Sequence, residues 1–175
     1  MPSSERNRRW WVLVTMTGSL SMILLDETVV SVALPTMQDD LGLSTAGVQW
    51  VVNAYLLSLA VLVALGGRIG DLIGNERVFR IGALVFVLAS AACGLAQSET
   101  WIVVARVVQG AGAALMTPSS GAIVTNAFDA DERGRAMGIY SGVSLIFLAL
   151  GPLIGGSLVE AIGWEAVFFV NLPVG

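Results

Sequence analysis

Three charged side chains interrupt stretches of this sequence that are otherwise apolar. Asp26 and Glu27 lie in the run from Trp10 to Leu34, and Arg106 lies in the run from Trp101 to Ala127. A charge at the centre of a bilayer costs at least about 2.5–3.5 kcal/mol, so such residues face a partner or a cavity. Asp26 and Arg106 carry opposite charges, and two functions suit such a pair. One is a static fastener between two segments. The other is proton traffic, because burial disfavours the charged form of a carboxylate while a nearby cation favours it. Glu27 follows Asp26 about 100° further round a helix and points towards an interface instead.

Little else here does covalent or metal chemistry. The nine cations are all arginine, histidine is absent, and Cys93 is the single cysteine, set in an apolar run. That excludes a disulfide framework and a Cys/His metal site. No nucleophile–base pair and no basic nucleic-acid patch stands out. The run Gly110-Ala111-Gly112-Ala113-Ala114-Leu115 begins like a dinucleotide loop. It lacks the third small residue and follows no soluble strand. The sequence therefore reads as neither an enzyme nor a nucleic-acid binder, and it implies no cofactor.

The elements that must position the charges follow from composition. Of 175 residues, 55% are hydrophobic and 13% charged, against about 25% charged in a soluble domain. A span needs about 20 apolar residues, and these recur near 10–34, 50–70, 78–97, 101–127 and 136–159. A sixth span begins near 164 and runs to 175. The fold class is an all-α membrane protein with five full transmembrane helices and the start of a sixth, preceded by a short segment, 1–9. That basic start resembles a secretory signal, but the apolar run after it exceeds the usual 7–15 residues, so a retained first helix is expected. All five tryptophans (Trp10, Trp11, Trp50, Trp101 and Trp164) fall at predicted span ends, where amphipathic rings favour the headgroup level.

Arginine placement sets orientation. Arg6, Arg8 and Arg9 precede the first span, Arg68, Arg77 and Arg80 surround the second loop, and Arg133 and Arg135 lie in the fourth. The alternate loops hold Asp39, Asp40, Glu99 and Glu160 and no arginine. Basic loops stay cytoplasmic, so a cytoplasmic N-terminus in the cell membrane is expected. Asp26 then lies about 24 Å along the first helix from Trp10, and Arg106 about 7.5 Å down the oppositely directed fourth helix from Trp101. In a hydrocarbon core of about 30 Å the two reach nearly the same level.

Five segments complete the reading. They are Leu25-Asp26-Glu27-Thr28-Val29-Val30-Ser31-Val32-Ala33-Leu34-Pro35; Gly67-Arg68-Ile69-Gly70-Asp71-Leu72-Ile73-Gly74-Asn75-Glu76-Arg77; Arg106-Val107-Val108-Gln109-Gly110; Gly151-Pro152-Leu153-Ile154-Gly155-Gly156; and Trp164 to Gly175, WEAVFFVNLPVG. In this order the chain resembles the major facilitator superfamily, in particular its fourteen-helix drug:proton antiporter branch. The resemblance implies a facilitator-type N-terminal bundle, alternating access and drug efflux: export of hydrophobic or cationic compounds, with the proton gradient as energy source. It implies coupling roles for Asp26, Arg106 and Gln109, the last two spaced to share a helix face. Gly67, Gly70, Asp71, Gly74 and Arg77 match the gating motif, in which Asp71 accepts hydrogen bonds from a neighbouring helix N-terminus. Leu72, Asn75 and Glu76 stand where that motif is usually basic. Gly138, Gly151, Pro152, Gly155 and Gly156 match the antiporter motif, with Phe147 where glycine is usual. On spacing alone, Gly151 and Gly155 also fit ordinary close packing. Implied partners are the lipid bilayer, a small-molecule substrate, protons and the remaining C-terminal half of a transporter. The rival readings are a truncated product that does not transport and a facilitator of a sugar or organic acid.

Overall fold

In lipid, the N–H and C=O groups of an apolar run find no partner but each other, so each run closes into a helix. The computed structural model describes residues 3–173, and side chains from Asn7 onward. Expectations for residues 1–2 and 174–175, and for the Arg6 side chain, lie outside the described residues. The helices are α1 (Ser3–Leu41), α2 (Thr45–Ile73), α3 (Asn75–Gly94), α4 (Glu99–Ala127), α5 (Arg133–Ala161) and the short α6 (Ala166–Phe169). The first five are long and apolar enough to cross a membrane. Short turns set consecutive helices antiparallel. α4 lies between α2 and α3, and α1 runs along α5 and touches α4.

Two hydrogen-bond groups show which turns share an end. The Ser44 side chain caps α2 by accepting from Gly47 N–H at 2.9 Å, and Glu99 accepts from Ser44 N–H at 2.8 Å. The α1–α2 and α3–α4 turns therefore meet, and Trp164 Nε1–H donates to Asp40 Oδ2 at 3.0 Å at that same end. At the other end Arg9 pairs with Glu132 and lies 5.4 Å from the Phe128 ring centre, tying α1 to the α4–α5 turn. Arg8, Arg77 and Arg80 line one hollow there. The loop arginines thus gather at one end, as an oriented membrane protein requires.

The helices outrun the predicted spans. α1 begins before residue 10 and continues past Pro35 to Leu41. A proline removes one ladder bond, and burial of Met37 beyond it keeps the helix in register. α3 stops at Gly94 rather than 97, because residues 95–98 must lead into the extended Ser98, whose side chain caps α4. The sixth element differs most. Its helix covers Ala166–Phe169, and turns follow through 173. Pro173 disfavours helix at the residue before it, and Asn171 and Leu172 make shorter i−3 bonds to Phe168 O and Phe169 O at 3.2 and 3.1 Å. The tryptophan reading also needs correcting. Trp11, Trp50 and Trp101 are exposed near the predicted span ends, whereas Trp164 is buried and packs edge-on against Phe168.

Candidate functional site

Asp26 on α1 and Arg106 on α4 meet in the interior, as their depths foretell. Arg106 Nη1 donates to Asp26 Oδ2 at 2.6 Å and to Gln109 Oε1 at 2.8 Å. Gln109 Nε2 donates to Asp26 Oδ1 at 2.9 Å. The i,i+3 spacing on α4 aims both side chains at one carboxylate. Arg106 Nε also donates to Val51 O of α2 at 3.0 Å, and the guanidinium lies over the Tyr55 ring at 4.2 Å. Asp26 and Arg106 are each 1% exposed. A buried ion pair is tolerable only when other polar groups share its charge, and here Val51 O on α2 accepts from Arg106 and Gln109 on α4 bonds both partners.

Sequence reasoning missed the other side of this site. Asn171 Nδ2 donates to Asp26 Oδ1 at 2.8 Å and to Ser90 Oγ at 2.9 Å. Ser90 in turn donates to Phe168 O at 2.8 Å, and the Phe168 ring lies 5.9 Å from the Arg106 guanidinium carbon. Cys93 Sγ lies 3.6 Å from Gln109 Oε1. Asn171 stands in the terminal segment that carried the resemblance, so a signal was present. Its partner was hidden because the preceding turns, not a helix, bring it back over α1.

The small residues of α5 divide into two groups. Gly151 and Gly155 are buried against Thr28 and Val29 of α1; a Cβ at Gly155 would lie 2.9 Å from Val29 Cγ2. Gly156 is looser: a Cβ there would lie 4.0 Å from Val32 Cγ1. Gly138 faces open space among the described residues, and Phe147 is 38% exposed, so neither packs closely here. Pro152 is itself exposed, yet it has a consequence. Lacking an N–H, it leaves the Leu148 carbonyl without its ladder donor. The Thr28 hydroxyl reaches that carbonyl at 3.2 Å, as well as Leu24 O and Leu25 O of its own helix, and so links α1 to α5.

At the α2–α3 turn, Gly74 has φ 97° and Gly70 O accepts from Gly74 N–H at 2.9 Å, so glycine is required there. Gly70 lies against Asn75, but the tightest approach to α4 belongs to Gly66, which meets the Ala114 backbone. Gly67, which the motif pairs with Gly70, has room: a Cβ there would lie 3.5 Å from Pro118 Cβ, an ordinary contact. Asp71 and Arg77 are exposed, and no donor among the described residues reaches Asp71. The implied helix N-terminus at Asp71 is not supplied by α1–α6.

The sequence profile of the Major Facilitator Superfamily matches residues 16–175. The chain belongs to the major facilitator superfamily. It is 45% identical over 173 residues to the tetracenomycin C resistance and export protein of Streptomyces glaucescens, covering 99% of this chain and 32% of that protein. It is 42% identical to the puromycin resistance protein of Streptomyces alboniger, covering 95% and 33%. Against the probable actinorhodin transporter of Streptomyces coelicolor it is 39% identical, covering 96% and 30%. This facilitator chain thus spans about a third of the length of the curated relatives it matches.

Proposed function

We propose that this chain forms one bundle of a proton-coupled exporter of hydrophobic or cationic compounds, of the fourteen-helix antiporter branch, with its N-terminus in the cytoplasm. The observation that carries the reading is the Asp26–Arg106 pair, fully buried where α1, α2 and α4 meet. Its charged form ties α1 to α4 and to the turn after α6 through a carboxylate that accepts from Arg106, Gln109 and Asn171. A proton arriving from outside neutralises Asp26, weakens the Coulombic part of that lock and lets the bundle rock against a second bundle beyond this chain. Release of the proton inside restores it. The relatives' names, which speak of resistance and export, support outward transport of drug-like compounds. The exposure of Asp71 and Arg77 at the arginine-rich end supports a contact of these two residues with that second bundle.

The test is exchange in proteoliposomes holding the full transporter that contains this chain. An imposed pH gradient should drive dye out against its own gradient, and an uncoupler should abolish that movement. Efflux indifferent to the pH gradient would refute proton coupling.

A further inference from the structure

Every neighbour that faces the Asp26 carboxylate presents a donor. Arg106 reaches Oδ2, and Gln109 and Asn171 both reach Oδ1. That set fits the charged carboxylate and fails the protonated one, whose O–H finds an N–H wherever it settles. One donor must then turn away. Arg106 has no acceptor to offer, and Val51 O and Gln109 hold it in place. The Gln109 oxygen is already occupied by Arg106 and Cys93. Asn171 is 1% exposed, and its Oδ1 is buried without a partner among the described residues. It alone can rotate its amide and lose no bond at oxygen.

We propose that Asn171 is the positioning residue that reads the protonation of Asp26, donating N–H to the charged carboxylate and turning to accept from the protonated one. The proton comes from the aqueous side supplied by the gradient and rests on an Asp26 oxygen; no other bond is made or broken. The turn takes Nδ2 away from Ser90 Oγ, whose hydroxyl holds Phe168 O. A change at Asp26 is thereby passed to the segment that lays Phe168 beside Arg106. Other titratable groups around Asp26 are Glu27 on α1, Tyr55 on α2, Cys93 on α3 and Arg106 on α4. α5 carries its charges, Arg133, Arg135 and Glu160, near its two ends. Among these side chains and Asn171, none but the asparagine combines a free acceptor with contact to the carboxylate.

The inference rests on the coupling role proposed for Asp26, and its test separates the two. In the full transporter in proteoliposomes, the pH midpoint of gradient-driven efflux is measured per inserted molecule for Asn171→Leu and Asn171→Ala. A charge-assisted hydrogen bond is about twice as strong as a neutral one. Losing the amide therefore harms the charged form more, and the midpoint should rise by about one pH unit. Infrared difference spectra should show the carboxyl band that vanishes in Asp26→Asn titrating with the same upward displacement. A midpoint and band unmoved in whichever variant inserts would overturn the role of Asn171, leaving it a packing residue. Wild-type efflux in Asp26→Asn would overturn the coupling reading beneath it instead.

Discussion

Arg106→Leu keeps most of the apolar volume of the side chain and removes its charge, which makes the energetics of the buried pair measurable. Asp26, 1% exposed, then faces no cation. Removing one partner of a buried pair costs about 3–5 kcal/mol, because the other charge is stranded out of water. Gln109 and Asn171 still donate to Oδ1 and offset part of that, placing the loss near the lower bound, about 3 kcal/mol. The double variant Asp26→Asn/Arg106→Leu strands no charge and should recover at least about half of the loss. Unfolding in detergent can be followed through Cys93, which is fully buried and is the chain's single cysteine. A thiol-reactive dye reports the temperature at which it becomes accessible. If the single variant unfolds like wild type, or the double variant falls by the sum of the two singles, the pair does not lock the helices as described.

Three further outcomes follow from the packing. Gly112→Ala should cost about 1–3 kcal/mol by overpacking, since its Cβ would stand 2.6 Å from Phe86 N, whereas Gly138→Ala, facing open space, should be neutral or stabilising; thermal unfolding of the two side by side decides. Thr28→Val should cost about 1 kcal/mol through the stranded Leu148 carbonyl, and most of that cost should disappear in the Pro152→Ala background, where residue 152 regains its N–H. For topology, cysteines at Ser44 and Ser98 should react with an impermeant reagent from outside, and cysteines at Asn75 and Asp131 only after permeabilisation. External labelling at Asn75 would reverse the orientation.

The number of helices and the meeting of Asp26 with Arg106 were legible because both depend on one dimension: apolar length and depth along an axis. The ends were less so. Pro35 looked like a terminus, but the chain beyond it buries Met37 and stays helical. Trp164 looked like an interfacial anchor because its position suits one, and only the return of the chain over α1 gives its indole a partner in Asp40. Asn171 joined the site for the same reason, through turns whose geometry has no periodic signature. Gly66, the residue against α4, stands one position before the motif's Gly67 and so differs from it in helix phase by about 100°. Motif membership cannot fix that phase, and contact with Ala114 does.

Efflux per molecule of inserted Asp26→Asn transporter is the most direct measurement of the central claim. Asparagine keeps the shape and a hydrogen-bonding oxygen but can neither carry the charge nor take up the proton. At membrane levels matched to wild type, export driven by the pH gradient should vanish in this variant while the protein remains inserted. Normal export per molecule, accompanied by a reduced amount of protein, would contradict the account and leave Asp26 and Arg106 as a fastener between α1 and α4.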